Sequence, residues 1–156
     1  MTNHNALPPP IAEAIRERLG DRMEEFLIPP PVFLTMRGEF LTFDAQAGVL
    51  DARFPVLEEY LNPYGAMQGG MVAAAVDNTL GPLSMLVAPP NVTRRLQMKY
   101  SRQVTPEMGH ITVRARLLER KGRWLAFSAE ARDLEGALLA RAQARHWIVD
   151  VPGDTD

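Results

Sequence analysis

The residues best suited to chemistry lie in one stretch, residues 68–81, where a single carboxylate stands in a run of almost wholly apolar residues. Gly69 and Gly70 open this run, and Asp77 follows seven residues after the second glycine. Apolar surroundings disfavour the charged form of a carboxylate and so make it a stronger base. Asp77 is therefore a candidate general base or nucleophile. The alternative interpretation is an Asp at a helix edge that faces water.

The same stretch is predicted to form a buried helix, because it is apolar and rich in alanine. At 3.6 residues per turn, one broad side of this helix is apolar and contains Ala73, Val76, Leu80 and Leu83. Asp77 lies on a neighbouring stripe, and the other residues of that stripe are small: Gly70, Ala74 and Gly81. The small side chains leave room beside the carboxylate for a substrate.

The two glycines are expected at the start of this helix, where backbone N–H groups have no intrahelical partner. The helix dipole adds partial positive charge there, and glycine has no Cβ to keep a ligand away. The N–H of Gly69 is therefore a candidate oxyanion donor. For either glycine alone, a tight turn that needs glycine is an equally good interpretation.

The composition limits the kinds of chemistry. The chain has 156 residues, a formal net charge of −2 and no cysteine, which excludes disulfides, thiolate metal sites and a cysteine nucleophile. This length suits one domain. No run approaches about 18 consecutive apolar residues, and the first ten residues lack the basic start and apolar centre of a signal peptide. We therefore expect a cytoplasmic protein with no membrane span.

The remaining pattern predicts an α+β fold. An amphipathic helix is predicted over residues 11–26, ended by prolines 29–31, and Pro82 is expected to close the buried helix. Strands are predicted over residues 33–44, 49–54, 92–101, 110–120, 124–132 and 137–149. A curved antiparallel sheet wrapped around one buried helix satisfies this order. We expect one domain over residues 11–150, with flexible ends at 1–10 and 151–156.

One motif of this sequence resembles that of a known family. It runs from Asn62 through Gln68-Gly69-Gly70 to Asp77, and it is similar to the motif of the hotdog-fold acyl-CoA thioesterases of the phenylacetic-acid-degradation type. That motif is His-Gly-Gly with an acid seven residues after the second glycine and Asn or Gln six residues before the His. The resemblance covers about residues 33–149. The chain departs from it at one place, because Gln68 stands where the motif has His.

The resemblance implies hydrolysis of an acyl-CoA thioester without a metal or other cofactor. Asp77 would attack the thioester carbon or activate water, and the N–H of Gly69 would hold the oxyanion. Asn62 would orient the water or the carbonyl, although Asn-Pro is also simply a good turn. Gln68 and Gly70 would contact the substrate. The resemblance also implies a homodimer or homotetramer in which the acid and the glycine loop of one site come from different subunits.

Gln68 leaves a second interpretation open, a hotdog module that binds acyl-CoA without turnover. Hydrolysis does not need the missing His for leaving-group protonation, because a thiol pKa lies near 8.5 and the CoA thiolate departs unaided. An acyl-CoA dehydratase of the same fold ranks last, because the sequence shows no Asp/His dyad of that kind.

A local basic cluster follows the buried helix and contains Arg94, Arg95, Lys99 and Arg102. Contact with CoA phosphates and a solvated strand face are equally good interpretations of this cluster. Nucleic-acid binding is not expected, because the net charge is negative and no recognition motif is present.

Three further polar residues lie on the later predicted strands. Thr93 matches a position where the family can carry a polar residue near the substrate. His110 and His146 are interpreted as ordinary strand residues without a role in catalysis.

Overall fold

The computed structural model describes residues 7–149, so most of the two predicted flexible ends lies outside the described residues. Within that part of the chain there are three α-helices and six strands. The helices are α1 (Pro9–Leu19), α2 (Pro31–Thr35) and α3 (Gly69–Val87). The strands are β1 (Glu39–Asp44), β2 (Val49–Pro55), β3 (Asn91–Tyr100), β4 (His110–Lys121), β5 (Trp124–Arg132) and β6 (Leu138–Ile148). Short 3₁₀ turns occupy Gly20–Glu25, Glu58–Tyr60 and Pro106–Met108.

The six strands form one antiparallel sheet in the order β1-β2-β4-β5-β6-β3. The strand that follows α3 therefore pairs with β6 at the far edge of the sheet, and α3 crosses the inward face to bring the chain there. Alternate residues of the strands are buried in the core, as in the row Ala140, Ala142 and Ala144 of β6. This is the predicted α+β arrangement of a curved antiparallel sheet around one buried helix.

The central helix α3 is longer than predicted. Pro82 lies inside α3, which continues to Val87, so the prediction that Pro82 closes it is wrong. An interior proline costs about 3 kcal/mol because it removes one helical hydrogen bond. Leu80 and Leu83, on either side of Pro82, are fully buried. Burial of one such side chain contributes about 1.5–3 kcal/mol, and this packing offsets the cost of the proline.

By length and hydropathy alone, α3 could also cross a membrane. However, 44% of its most apolar 18-residue segment is buried inside the protein. The core helix of a soluble domain passes the same test. Here α3 packs against β4 and β2 with eight of its residues buried. These contacts account for its apolar composition.

The predicted strand over residues 33–44 is only partly present. Residues 31–35 form α2, and β1 begins at Glu39. Phe33 and Met36 are both buried at a spacing of three residues, which is helical spacing rather than strand alternation. Gly38 makes the change of direction possible. A Cβ at Gly38 would come within 2.7 Å of the rings of Phe33 and Phe54.

The first helix also differs from the prediction. It begins at Pro9, where proline is well tolerated in the first turn, and it ends at Leu19 rather than Phe26. Gly20 has a φ of 51°, and the chain continues as a 3₁₀ turn. Ile11 and Ile15 bury the apolar face of α1 against the core.

The edge strand β3 contains a bulge that decides which way its first residues point. Thr93 pairs with His146 and Arg95 pairs with Arg145, so Arg94 is the extra residue on this strand. A β-bulge adds one residue to one strand and re-aims the side chains beside it. Thr93 therefore lies on the inward face with Leu96 and Met98, although simple alternation would place Thr93 with Arg95 on the outer face.

Candidate active site

The N-terminus of α3 presents two unpaired backbone donors. Gln68 is the residue before the helix, and its carbonyl accepts hydrogen bonds from the N–H groups of Met71 (2.8 Å) and Val72 (3.1 Å). Among the described residues, no hydrogen-bond partner is recorded for the N–H of Gly69 or Gly70. Neither glycine has a positive φ, so a tight turn does not explain why glycine stands here. A Cβ at Gly70 would meet no atom within 4 Å in this chain.

Tyr100, the last residue of β3, holds this end of the helix in place. Its hydroxyl donates a hydrogen bond of 2.6 Å to the carbonyl oxygen of Gly69, and its ring would be 3.4 Å from a Cβ at that position. Burial of the hydroxyl raises the pKa of Tyr100. The sequence gives no sign of this contact, because nothing in the local pattern points to a partner 31 residues away.

Asn62 forms a turn with its side-chain oxygen, and its side-chain nitrogen remains available as a hydrogen-bond donor. Its Oδ1 accepts hydrogen bonds from the backbone N–H groups of Tyr64 (2.9 Å) and Ala66 (3.2 Å). This confirms the interpretation of Asn62 as a turn residue. Because both bonds use the oxygen, the Nδ2 group remains a donor. Asn62 lines an open pocket of about 320 Å³ together with Gly69, Tyr100 and Arg102.

Asp77 lies two turns further along α3, on the side that is open to solvent in the single chain. Desolvation by the neighbouring apolar groups raises the pKa of Asp77, and the nearby Thr93 hydroxyl partly opposes that rise. No charged group of the described chain contributes to the shift. The carboxylate is therefore a stronger base than an ordinary aspartate, for the reason that its apolar helix predicts.

The inward-pointing Thr93 connects Asp77 to two residues that sequence reasoning did not assign to the site. The Thr93 hydroxyl lies 3.3 Å from Nε2 of His146, and Nδ1 of His146 lies 2.8 Å from Oδ1 of Asn91. His146 is only 1% exposed. Burial lowers the pKa of His146 to about 4, so its ring is neutral at neutral pH.

The other predicted contact residues are spread over the surface. Gln68 is exposed and its side chain makes no capping hydrogen bond. Arg94 lies at the bulge, and Arg95 points to the outer face, where it donates to Gln97. Of the predicted basic cluster, Arg102 lines the pocket at Gly69. Among residues 7–149, no group of three or more His, Asp or Glu residues could hold a metal ion.

The topology and the helix that carries the acid define a hotdog fold, and solved structures of that fold are similar to this chain. No family model matches the chain, and no curated protein matches it in sequence. Solved structures do match. A phenylacetic acid degradation-related protein from Ralstonia eutropha JMP134, provisionally assigned as a thioesterase, is 26% identical, with a TM-score of 0.74 over 88% of this chain and 98% of that one.

Two further similar structures extend the comparison. The Escherichia coli PaaI protein from the phenylacetic acid degradation operon has 12% identity and a TM-score of 0.74, over 90% of this chain and 96% of that one. The smu.793 protein of Streptococcus mutans UA159, solved with acetyl-CoA bound, has 17% identity and a TM-score of 0.67, over 72% of this chain and 88% of that one. The resemblance to PaaI-like thioesterases that the motif predicted is thereby confirmed, together with the hotdog fold.

Proposed function

We propose that this protein hydrolyses an acyl-CoA thioester to the free acid and CoA. The observation that carries the proposal is the N-terminus of α3, where Gly69 and Gly70 present unpaired N–H groups without any backbone need for glycine. Such donors at a helix start attract a developing oxyanion. Asp77, on the same helix, has a raised pKa and supplies the base or nucleophile. The thioesterase neighbours support this class of reaction.

The proposed reaction has three steps, and each has its own groups. The N–H of Gly69 holds the thioester oxygen, and the free Nδ2 of Asn62 donates to the same oxygen or to the attacking water. Asp77 either takes a proton from that water or attacks the carbonyl carbon itself. The electron pair of the broken C–S bond leaves on the CoA sulfur, which is stable as a thiolate near neutral pH. The reaction therefore does not need a general acid for the leaving group, and Gln68 can stand in place of a histidine.

One chain does not bring the donor and the acid to the same atom. Asp77 follows Gly69 by eight positions, which is about 12 Å along a helix that rises 1.5 Å per residue. A single thioester carbon cannot contact both. We therefore propose at least a homodimer, in which Gly69 and Asn62 of one subunit face Asp77 of the other. The open edge of β3 and the exposure of Asp77 in the single chain favour such an arrangement.

CoA would lie over the mouth of the pocket at Gly69. Gly70 has no side chain to obstruct it, and Gln68 stands exposed beside it. We keep Thr93, Arg94 and Arg95 as proposed substrate contacts, Thr93 from the inward face of β3 and the two arginines for phosphate groups that reach the outer surface. Acetyl-CoA bound to the hotdog protein smu.793 supports a CoA ligand. The cytoplasmic location, the single-domain boundaries and the absence of nucleic-acid and membrane partners stay predictions.

The test is a panel of acyl-CoA thioesters, assayed by release of free thiol, with the parental protein and Asp77→Asn. We expect turnover of at least one thioester by the parental protein, and a fall of about 10²–10⁴-fold in Asp77→Asn. Near-parental rates in the variant would remove Asp77 from the mechanism.

Subunit complementation tests the shared site. Asp77→Asn and Asn62→Ala are each expected to be inactive alone, and co-expression forms mixed dimers that contain one intact site. A random mixture should recover about a quarter of the parental activity if the site is shared between subunits of a two-fold dimer. No recovery from mixed dimers that have been isolated would place the site within one chain.

The competing function is a hotdog module that binds acyl-CoA without turnover, and Gln68 is the residue that favours it. Under this alternative, calorimetry detects binding of the thioesters while the parental protein releases no thiol. The same panel therefore separates the two functions.

A further inference from the structure

We propose that His146 and Asn91 are positioning residues that draw the hydroxyl proton of Thr93 towards His146 and away from Asp77. This proposal deepens the proposed hydrolysis and rests on it for its relevance to catalysis. Its central claim concerns the direction of two hydrogen bonds, which can be measured whether or not the protein turns over a thioester.

The direction of the Asn91 amide is set by two carbonyl groups. Its Nδ2 lies 2.9 Å from the carbonyl oxygen of Pro89 and 3.3 Å from that of Ser84, at the C-terminal end of α3. A carbonyl oxygen only accepts hydrogen bonds, so the amide nitrogen must face these two groups. The amide oxygen Oδ1 consequently faces His146.

This orientation decides the tautomer of His146. Since Oδ1 of Asn91 is an acceptor at 2.8 Å, Nδ1 of the ring must carry the proton. A neutral imidazole has one N–H, and burial keeps this ring neutral, so Nε2 presents a lone pair. That lone pair points at the Thr93 hydroxyl, 3.3 Å away.

The ring has little freedom to turn away from this arrangement. His146 is buried and lies against Phe127, with the two ring centroids 4.8 Å apart. Its strand neighbour across the ladder is Leu125, which is fully buried. The bulge at Arg94 is what aims Thr93 at this ring rather than at the outer face.

Thr93 therefore has one proton and two neighbouring acceptors, Nε2 of His146 at 3.3 Å and the nearby carboxylate of Asp77. If it donates to Asp77, the carboxylate is stabilised and becomes a weaker base. If it donates to Nε2 of His146, the carboxylate loses that donor, and the Thr93 oxygen is left to accept a hydrogen bond from the attacking water. The histidine thus withdraws part of the stabilisation that would otherwise reduce the basicity of Asp77.

Within residues 7–149, no other charged group contributes to the pKa shifts of Asp77 and His146. Asp77 is the sole titratable residue of α3, and desolvation and Thr93 are the causes of its shift. Desolvation is the cause of the shift at His146. The titratable residues of the neighbouring strands do not contribute to the pKa shift of Asp77 or of His146. These residues are Arg94, Arg95, Lys99 and Tyr100 on β3, Glu130 and Arg132 on β5, and Arg141 and Arg145 on β6.

The first experiment determines the tautomer in the unmodified full-length protein. Nitrogen-15 NMR of the histidine rings distinguishes a protonated from an unprotonated ring nitrogen, and the spectrum of His146→Phe assigns the signals of His146. We expect a protonated Nδ1 and an unprotonated Nε2 from about pH 5.5 to 8, as a buried neutral ring requires. A protonated Nε2 in this range would overturn the proposal.

The second experiment follows the ionisation of Asp77 by the carbon-13 signal of its carboxyl group, assigned with Asp77→Asn. In His146→Phe the Thr93 proton has one acceptor left, so the pKa of Asp77 should fall by about one unit. The acid limb of the kcat/KM profile should move to lower pH by the same amount. His110→Phe, the same change on β4, is the matched control and should leave the pKa of Asp77 unchanged.

Thr93→Val separates a positioning role from a merely structural one. If His146 acts through Thr93, adding His146→Phe to Thr93→Val causes no further shift at Asp77. A shift of equal size in both backgrounds contradicts the proposal. A protein that shows the expected tautomer and shifts but no thiol release would retain this inference and lose the proposed hydrolysis, so the two failures are distinguishable.

Discussion

The hydroxyl of Tyr100 donates a 2.6 Å hydrogen bond to the carbonyl oxygen of Gly69, so the last residue of β3 holds the first turn of α3. The carbonyl belongs to the residue whose N–H is the proposed oxyanion donor. Any movement of this turn would move the donor, and misplacement by about 1 Å can reduce catalysis about 10²-fold.

Tyr100→Phe should therefore reduce kcat more than it reduces stability. Loss of one neutral hydrogen bond costs about 1 kcal/mol of the free energy of unfolding. Tyr64→Phe is the matched control, because Tyr64 is 88% exposed and its hydroxyl makes no recorded hydrogen bond. Steady-state kinetics and urea unfolding of both variants check the prediction. Equal kcat in the two variants would show that the tether has no part in catalysis.

Asp77→Asn should leave the fold intact and slightly increase stability at neutral pH. The pKa of Asp77 is raised in the folded protein, so its ionisation opposes folding above that pKa. The stability advantage of Asn should be present at pH 7 and should vanish as the pH falls below about 3.9, the unfolded value. Thermal unfolding at several pH values measures this, with the exposed Asp21→Asn as control. A variant less stable than the parent at pH 7 would contradict the assigned shift.

His146 should make the protein sensitive to acid. Its pKa is about 4 when folded against an ordinary value of 6.5, so the unfolded chain binds a proton between these values and the folded chain does not. Stability should therefore fall as the pH drops from 6.5 to 4, by up to about 3 kcal/mol. Urea unfolding of the parental protein and His146→Phe should show a shallower pH dependence in the variant. Parallel curves would mean that His146 is charged in the folded state.

Gln68→His should fold normally and retain whatever activity the parental protein has. Gln68 is exposed and its side chain caps nothing, so the fold does not depend on it. The thiolate leaves without a general acid, so neither residue is needed for that step. The thioester panel measures the outcome. A folded variant without turnover would show that Gln68 has a chemical role of its own.

Much of the fold follows from the amino-acid pattern. The strands β2, β4, β5 and β6 lie within one or two residues of their predicted ranges, because strict alternation identifies a half-buried strand. The buried helix was identified from its apolar run, and its position between the second and third strands gives the hotdog arrangement. The spacing of Asn62, Gly69 and Asp77 was sufficient to predict the resemblance to PaaI-like thioesterases, which the similar solved structures confirm.

The sequence did not reveal the contacts around Thr93. A period of two places Thr93 with Arg95, and only the pairing of β3 with β6 shows that Arg94 is an extra residue. The partnership of Asn91 with His146 joins residues 55 apart in sequence, and that of Tyr100 with Gly69 joins residues 31 apart. Local pattern reports which face of an element is apolar. Which polar side chains meet across that face depends on strand register, and the packing of the whole sheet decides the register.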